Sequence, residues 1–298
     1  MGEAMTNKGN GVLQFRWRQG RMWRNTFCMA LPALIVLLVF YFIPILQFLP
    51  RSFIDDNGKF TLQYLIRVFS EKLYLKTLLR TLRIALVATV INLLLGYIVA
   101  YTLTQINQRT VNILMALIMV SFWVSLLVRT YAWMVLLQKN GVINDVLSGL
   151  HILKERKTLL YTEGAVLVGM TNILLPYSIL PIYSVLKGLD PNLSTAAMSL
   201  GATRAQAFCK VTLPLSMPGI ATGVMLVFIQ ALGFYVTPML LGGGQTQMLT
   251  GLIDSQIYRF LNWHFGAALG MVLLIITAIF LFGFEKIFGI DKLSEGIM

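Results

Sequence analysis

Acidic residues are scarce: the chain has 12 Asp and Glu against 24 Lys and Arg in 298 residues, and charged residues make up only 12% of it. Soluble domains average about 25% charged residues, so an ordinary soluble domain is excluded. Glu163, Asp254 and Glu285 all fall at the ends of apolar runs or in loops. An intramembrane enzyme needs Asp, Glu, His or Ser with a base clustered on facing spans, and no such cluster is present. Cysteine is limited to Cys28 and Cys209, too few and too far apart for a disulfide framework. The two histidines, His151 and His264, lack a neighbouring Cys or an HExxH spacing, so no metal site is expected. No GxxxxGK[ST] phosphate loop occurs: Gly58-Lys59 is followed by Phe60, and the GGGQT run at 242–246 has no lysine. ATP is therefore not expected on this chain.

What is present is apolar. Hydrophobic residues account for 57% of the chain and the mean hydropathy is +0.75, which points to an integral membrane protein in contact with the lipid bilayer. The net charge of +12 is spread along the sequence rather than gathered in a stripe, which argues against nucleic acid as a partner. Lys and Arg at loop ends facing anionic lipid account for it. With about 20 apolar residues per span, six spans are expected near 27–49, 82–104, 112–130, 164–186, 214–238 and 267–288. The expected organisation is a polar segment over 1–26, a membrane domain over 27–290, and a tail over 291–298. Positive residues are nearly balanced between the two sides, but Arg16, Arg18, Arg21 and Arg24 precede the first span and favour a cytoplasmic N-terminus. The first run exceeds the 7–15 apolar residues of a secretory signal and has no small-residue cleavage site after it. Within the longer connections, Leu62, Leu65, Phe69 and Leu73 at helical spacing predict an interfacial helix. Arg129 lies 18 residues after Val111, roughly 27 Å along a straight helix, which predicts an arginine snorkelling to the far interface.

Between the fourth and fifth expected spans, at 187–213, the chain turns small and polar: STAAMSLGATRAQAFCKVTLP over 194–214. Asp190-Pro191 is a helix start, an N-cap acceptor followed by a proline whose missing N–H costs nothing there. Gly201 suits the left-handed position past the helix end, and Thr203 caps a second short helix to about Lys210. Leu213-Pro214 then opens the fifth span. Leu193, Ala196, Ala197 and Leu200 share one face of the first helix. That face either lies against its own bundle or docks a soluble partner, and spacing alone does not choose.

The stretch resembles the cytoplasmic signature of permease subunits of binding-protein-dependent ABC importers, EAA, three residues, Gly, nine residues, I-x-L-P. Here Thr195-Ala196-Ala197, three residues, Gly201, nine residues and Val211-Thr212-Leu213-Pro214 keep the spacing. Thr195 stands for the Glu and Val211 for the Ile, so an ion pair expected of that Glu is lost. The run at 78–101 resembles the opening of the permease core, the runs at 122–137, 234–244 and 262–269 are similar to the spermidine/putrescine-type subgroup, and related subunits for opines and other small organic solutes look alike. The resemblance implies an all-α, six-span permease of the type I (MetI-like) fold in a bacterial inner membrane, not itself an enzyme. It implies a pair of ATP-binding cassette subunits carrying ATP and Mg, a second permease subunit (a related chain in preference to a second copy, with either open), and a periplasmic substrate-binding protein. It also assigns coupling to the ATPase to Thr195, Ala196, Ala197, Leu200, Gly201, Val211, Leu213 and Pro214. A stand-alone secondary transporter leaves this motif without a role.

For the solute pathway, Gln230, Phe234 and Tyr235 surround Gly233 shortly before Pro238, where a span bends or breaks and exposes backbone to a cavity. Trp123 and Tyr131 flank the outer half of the third span. Aromatic faces hold ammonium groups, which suits a polyamine, although helix packing and interfacial anchoring explain the same residues. The missing deep carboxylate counts against a polycation pathway confined to this chain.

Overall fold

The computed structural model describes residues 31–55, 57–151 and 156–289. The expectations for 1–26, for residues 27–30 of the first span and for the 291–298 tail lie outside the described residues. Helix dominates because lipid offers no partner for a backbone N–H or C=O, so each segment must satisfy its own. In chain order the helices are α1 (Leu31–Phe53), α2 (Gln63–Ser70), α3 (Lys72–Gln105), α4 (Gln108–Trp123), α5 (Leu126–Leu137), α6 (Val142–Gly149) and α7 (Glu163–Gly188). They continue with α8 (Pro191–Ser199), α9 (Arg204–Leu215), α10 (Met217–Leu232), α11 (Val236–Gly242), α12 (Leu249–Asp254, prolonged by the π turn Ser255–Arg259) and α13 (Trp263–Phe288).

Four of these, α1, α3, α7 and α13, are long and apolar enough to cross a membrane. Two bent pairs bring the number to six when each is taken as one span: α4 with α5–α6, bent by 99°, and α9 with α10, bent by 61°. Helix α3, at 34 residues, is about 51 Å long and overshoots a hydrocarbon core of about 30 Å. Its first turns carry Lys72, Lys76, Arg80 and Arg83, which explains why hydropathy alone starts the span at 82.

The centre is a three-helix contact among α3, α7 and α10. It is tight because the facing residues are small, the packing mode that membrane helices use where hydrophobic driving force is weak. A Cβ on Gly96 would collide with the Ser178 hydroxyl, and one on Gly219 would come within 2.8 Å of the Pro181 carbonyl. Ser178 Oγ donates across to the Asn92 carbonyl at 2.9 Å, fastening α7 to α3. The Arg83–Glu163 ion pair joins α3 to the start of α7. A second core forms where α13 meets α2, α3 and α12 around buried Phe265, with Tyr74 edge-on at 4.7 Å.

Two expectations are corrected. The third span does not run unbroken to 130: α4 stops at Trp123, and the chain turns before α5. FWVSLL holds no Gly or Pro to signal this, and tertiary bonds fix the turn. Arg129 Nη1 donates to Ser121 Oγ at 2.9 Å across the bend, and Thr130 and Thr237 share a hydroxyl hydrogen bond at 3.1 Å. The 27 Å placement of Arg129 on a straight helix therefore fails; its side chain is half-buried inside the bend. The second correction concerns the helix capped by Thr203. It does not end near Lys210 but passes through Pro214 to Leu215, and α10 follows from Met217 after the 61° bend. Pro214 sits in the continuing helix because a widened π turn, Phe208–Thr212, precedes it. Helix α2 falls within the expected segment but carries only Leu65 and Phe69 of its four apolar positions: Leu62 precedes the helix and Leu73 belongs to α3, and Leu62, Phe69 and Leu73 are all exposed.

Candidate functional site

The elbow between α7 and α9 is built by local chemistry. The Asp190 carboxylate accepts from the Asn192 N–H at 2.9 Å, and Pro191 occupies the first turn of α8. At the other end the Gly201 N–H donates to the Met198 carbonyl (3.0 Å) and the Ala202 N–H to the Ala197 carbonyl (3.1 Å). This pair of bonds is a Schellman termination, and it holds Gly201 at φ +92°. A Cβ at Gly201 would meet nothing within 4 Å, so only backbone conformation demands glycine there. Thr203 and Gln206 form a capping box, with the Gln206 N–H donating to Thr203 Oγ1 (3.2 Å) and the Thr203 N–H to Gln206 Oε1 (2.9 Å).

The shared face of α8 is not folded onto the bundle. Thr195, Ala196 and Leu193 are exposed and Ala197 is half-buried; Leu200 is 90% exposed. A leucine left this open at a rigid elbow is suited to docking. Behind the elbow lies a cavity of about 710 Å³, lined among others by Tyr101, Asp190, Thr195, Met198, Arg204 and Phe208. Val211 and Leu213 are half-buried on α9 and Pro214 is exposed.

Sequence spacing missed the link from elbow to bundle. Phe208, in the π turn, sits edge-on to Tyr101 (5.3 Å between centroids) and Tyr97 (5.9 Å) on α3. The Tyr97 hydroxyl shares a hydrogen bond with Ser216 Oγ at 3.1 Å, at the 61° bend itself. Displacement of α8–α9 thus has a direct contact path to α3 and α10. The signal was available as Tyr97 and Tyr101 four residues apart on one face, but their partner was not.

At the opposite end, α10 stops at Leu232 and α11 begins at Val236, so the chain breaks where Gly233 predicted it. Gln230 is exposed on the last turn of α10, and Phe234 is half-buried against the central core. Tyr235 lines a cavity of about 300 Å³ together with Met239, Gln247, Thr250, Asp254 and Arg259. The other four expected pathway residues are not in its lining: Trp123 is 87% exposed at the end of α4, and Tyr131 is exposed on α5. Gly243, at φ +60°, ends α11.

The family described as binding-protein-dependent transport system inner membrane component matches residues 92–285. The spermidine/putrescine transport system permease protein PotB of Escherichia coli (strain K12) is 34% identical over 251 residues, 82% of this chain and 91% of that protein. A crystal structure of a bacterial ABC transporter that imports the acidic polysaccharide alginate superposes with a TM-score of 0.78 at 16% identity, covering 91% of this chain and 97% of that one. The bacterial alginate ABC transporter in complex with a pentasaccharide-bound periplasmic protein superposes with a TM-score of 0.74 at 15% identity, covering 91% and 96%. At such identities these structures speak for the fold. With the all-helical core, the elbow and the family match in agreement, the chain belongs to the inner membrane permease components of binding-protein-dependent transport systems.

Proposed function

We propose that this chain is the permease subunit of an ATP-driven importer that moves a polyamine, spermidine or putrescine, across the inner membrane after delivery by a periplasmic binding protein. The 34% identity to a spermidine/putrescine permease along 82% of the chain carries this reading. Two ATP-binding subunits with ATP and Mg²⁺ dock on the elbow, with Leu200 and the Thr195–Ala197 face as contacts, and a second, related permease chain completes the pathway. Val211, Leu213 and Pro214 carry the motion of the elbow into the fifth span. ATP binds one arrangement of the ATPase pair more tightly and so biases a two-state equilibrium of the spans. Gln230, Phe234, Tyr235, Trp123 and Tyr131 belong to the pathway and to the surfaces that meet the second permease. Uptake of radiolabelled spermidine into proteoliposomes with the complete importer tests the proposal, and uptake of an opine in place of spermidine identifies the second reading, which the lack of acidic residues away from the ends of the spans favours.

A cytoplasmic N-terminus places the elbow in the cytoplasm. Cys209 is exposed on it, so a membrane-impermeant maleimide should label Cys209 in inside-out vesicles and leave it unlabelled in intact spheroplasts. Labelling from outside overturns this orientation.

A further inference from the structure

Hydropathy puts Asp254 in a connection, away from any span. The fold brings it back. Helix α12 packs beside α13 and α3, and its N-terminal backbone is fastened to α3 by the Leu249 N–H donating to the buried Thr81 hydroxyl at 2.8 Å. The Thr250 hydroxyl donates to the Phe234 carbonyl at 2.6 Å, tying α12 to the break between α10 and α11. Asp254 is half-buried as a result, and its carboxyl stands beside the Tyr235 hydroxyl with Tyr258 close by.

The cavity formed there, about 300 Å³, lies at the small end of the range for organic ligands, roughly 300–1,000 Å³. Its groups have distinct roles. Asp254 makes no ion pair with Arg or Lys among the described residues. Arg259 also lines the cavity but is an exposed residue past the end of α12. Gln247 Nε2 donates to Ser255 Oγ at 3.3 Å, and Ser255 Oγ donates in turn to the Gly251 carbonyl at 2.9 Å. A carboxylate that has no ion pair among the described residues and the adjacent phenol ring, whose hydroxyl is hydrogen-bonded to it, are the two features that recognise an ammonium group, by a charge-assisted hydrogen bond and by a cation–π contact.

We propose that Asp254 and Tyr235, at the break in the fifth span, form a subsite for one primary ammonium group of an alkyl polyamine. The subsite rests on the importer reading above and supplies the carboxylate that the spans lack. Tyr235 contributes its face and Asp254 the counter-charge; Met239 offers apolar surface to the methylene chain.

The test uses proteoliposomes holding the complete importer and measures radiolabelled spermidine uptake together with ATP hydrolysis stimulated by the spermidine-loaded binding protein. Asp254→Asn should raise the half-saturating spermidine concentration or lower uptake at least tenfold while stimulated hydrolysis persists, because docking and closure occur elsewhere. Asp254→Glu should recover most of the uptake, since it keeps the charge one methylene further out. Equal uptake by wild type and Asp254→Asn overturns the subsite, as does loss of uptake and stimulated hydrolysis together, which marks a structural role. Failure of Asp254→Glu to recover uptake also overturns it. A wild-type importer that moves no spermidine refutes the importer reading instead. A zwitterionic amino acid transported in its place, with Arg259→Gln abolishing that transport, assigns the cavity to a different ligand.

Discussion

Gly201→Val is expected to leave ATP hydrolysis by the assembled importer running while spermidine uptake falls at least tenfold. Gly201 has φ +92°, a region from which the Val Cβ is excluded by its own backbone. Forcing a non-glycine residue into such a conformation costs about 1–3 kcal/mol. A Cβ at this position would meet nothing within 4 Å, so the cost falls on the backbone conformation and the Schellman bonds that end α8. The elbow relieves it by opening, and the docked helix then no longer transmits its displacement through Phe208 to Tyr97 and Tyr101. Gly201→Asn is the control: Asn tolerates the left-handed region and should retain most of the uptake. The measurement is uptake per ATP hydrolysed. Coupled transport at the wild-type ratio in Gly201→Val contradicts the role given to the elbow.

Leu200→Asp should reduce recovery of the ATP-binding subunit with the purified permease at least tenfold, with the permease itself folded as before. Leu200 is 90% exposed, so the substitution removes almost nothing from this chain's own core. Burying a leucine side chain at an interface is worth about 1.5–3 kcal/mol, and an unpaired aspartate buried in its place adds a desolvation penalty. Since about 1.4 kcal/mol is a factor of ten in affinity, a tenfold loss is the lower bound. Leu200→Met preserves volume and apolarity and should bind normally. Stoichiometric recovery of the ATPase with Leu200→Asp contradicts the placement of the docking surface.

The elbow was legible in the sequence because each of its parts is local. Asp190-Pro191 starts α8, Gly201 ends it, and Thr203 with Gln206 starts α9; each acts within three or four residues and needs no distant partner. The 61° bend at Ser216 was not legible, because Pro214 reads as the start of a helix and only the π turn before it lets α9 continue. The break after Trp123 was hidden for a different reason. Its cause is the bonding of Ser121, Thr130 and their partners on the far side of the turn, while the run itself holds neither Gly nor Pro and only one polar residue, Ser125. Asp254 illustrates a third kind of omission. Six-residue α12 is too short to register as a span, so its carboxylate was assigned to a loop, and only the Thr81 and Thr250 hydrogen bonds bring it to the break beside Tyr235. Aromatic residues were ambiguous throughout, since Trp123, Tyr131, Phe234 and Tyr235 look alike in sequence and differ only in what the fold sets against them.

The same reasoning explains Thr195, which replaces the acidic residue of the family signature. In the fold its hydroxyl donates back to the Pro191 carbonyl at 3.4 Å, and the side chain remains exposed on the docking face. A charge is therefore absent from this surface, and apolar contact through Ala196, Ala197 and Leu200 has the larger share in the proposed docking.

The central claim is that movement of solute through this chain is driven by ATP bound to separate subunits. The most direct measurement compares radiolabelled spermidine uptake in vesicles holding this chain alone with uptake in vesicles holding the two permease chains, the ATPase pair and the loaded binding protein, each with and without ATP. Uptake only by the complete assembly and only with ATP is the predicted result. Accumulation of spermidine by this chain alone, without ATP, contradicts it.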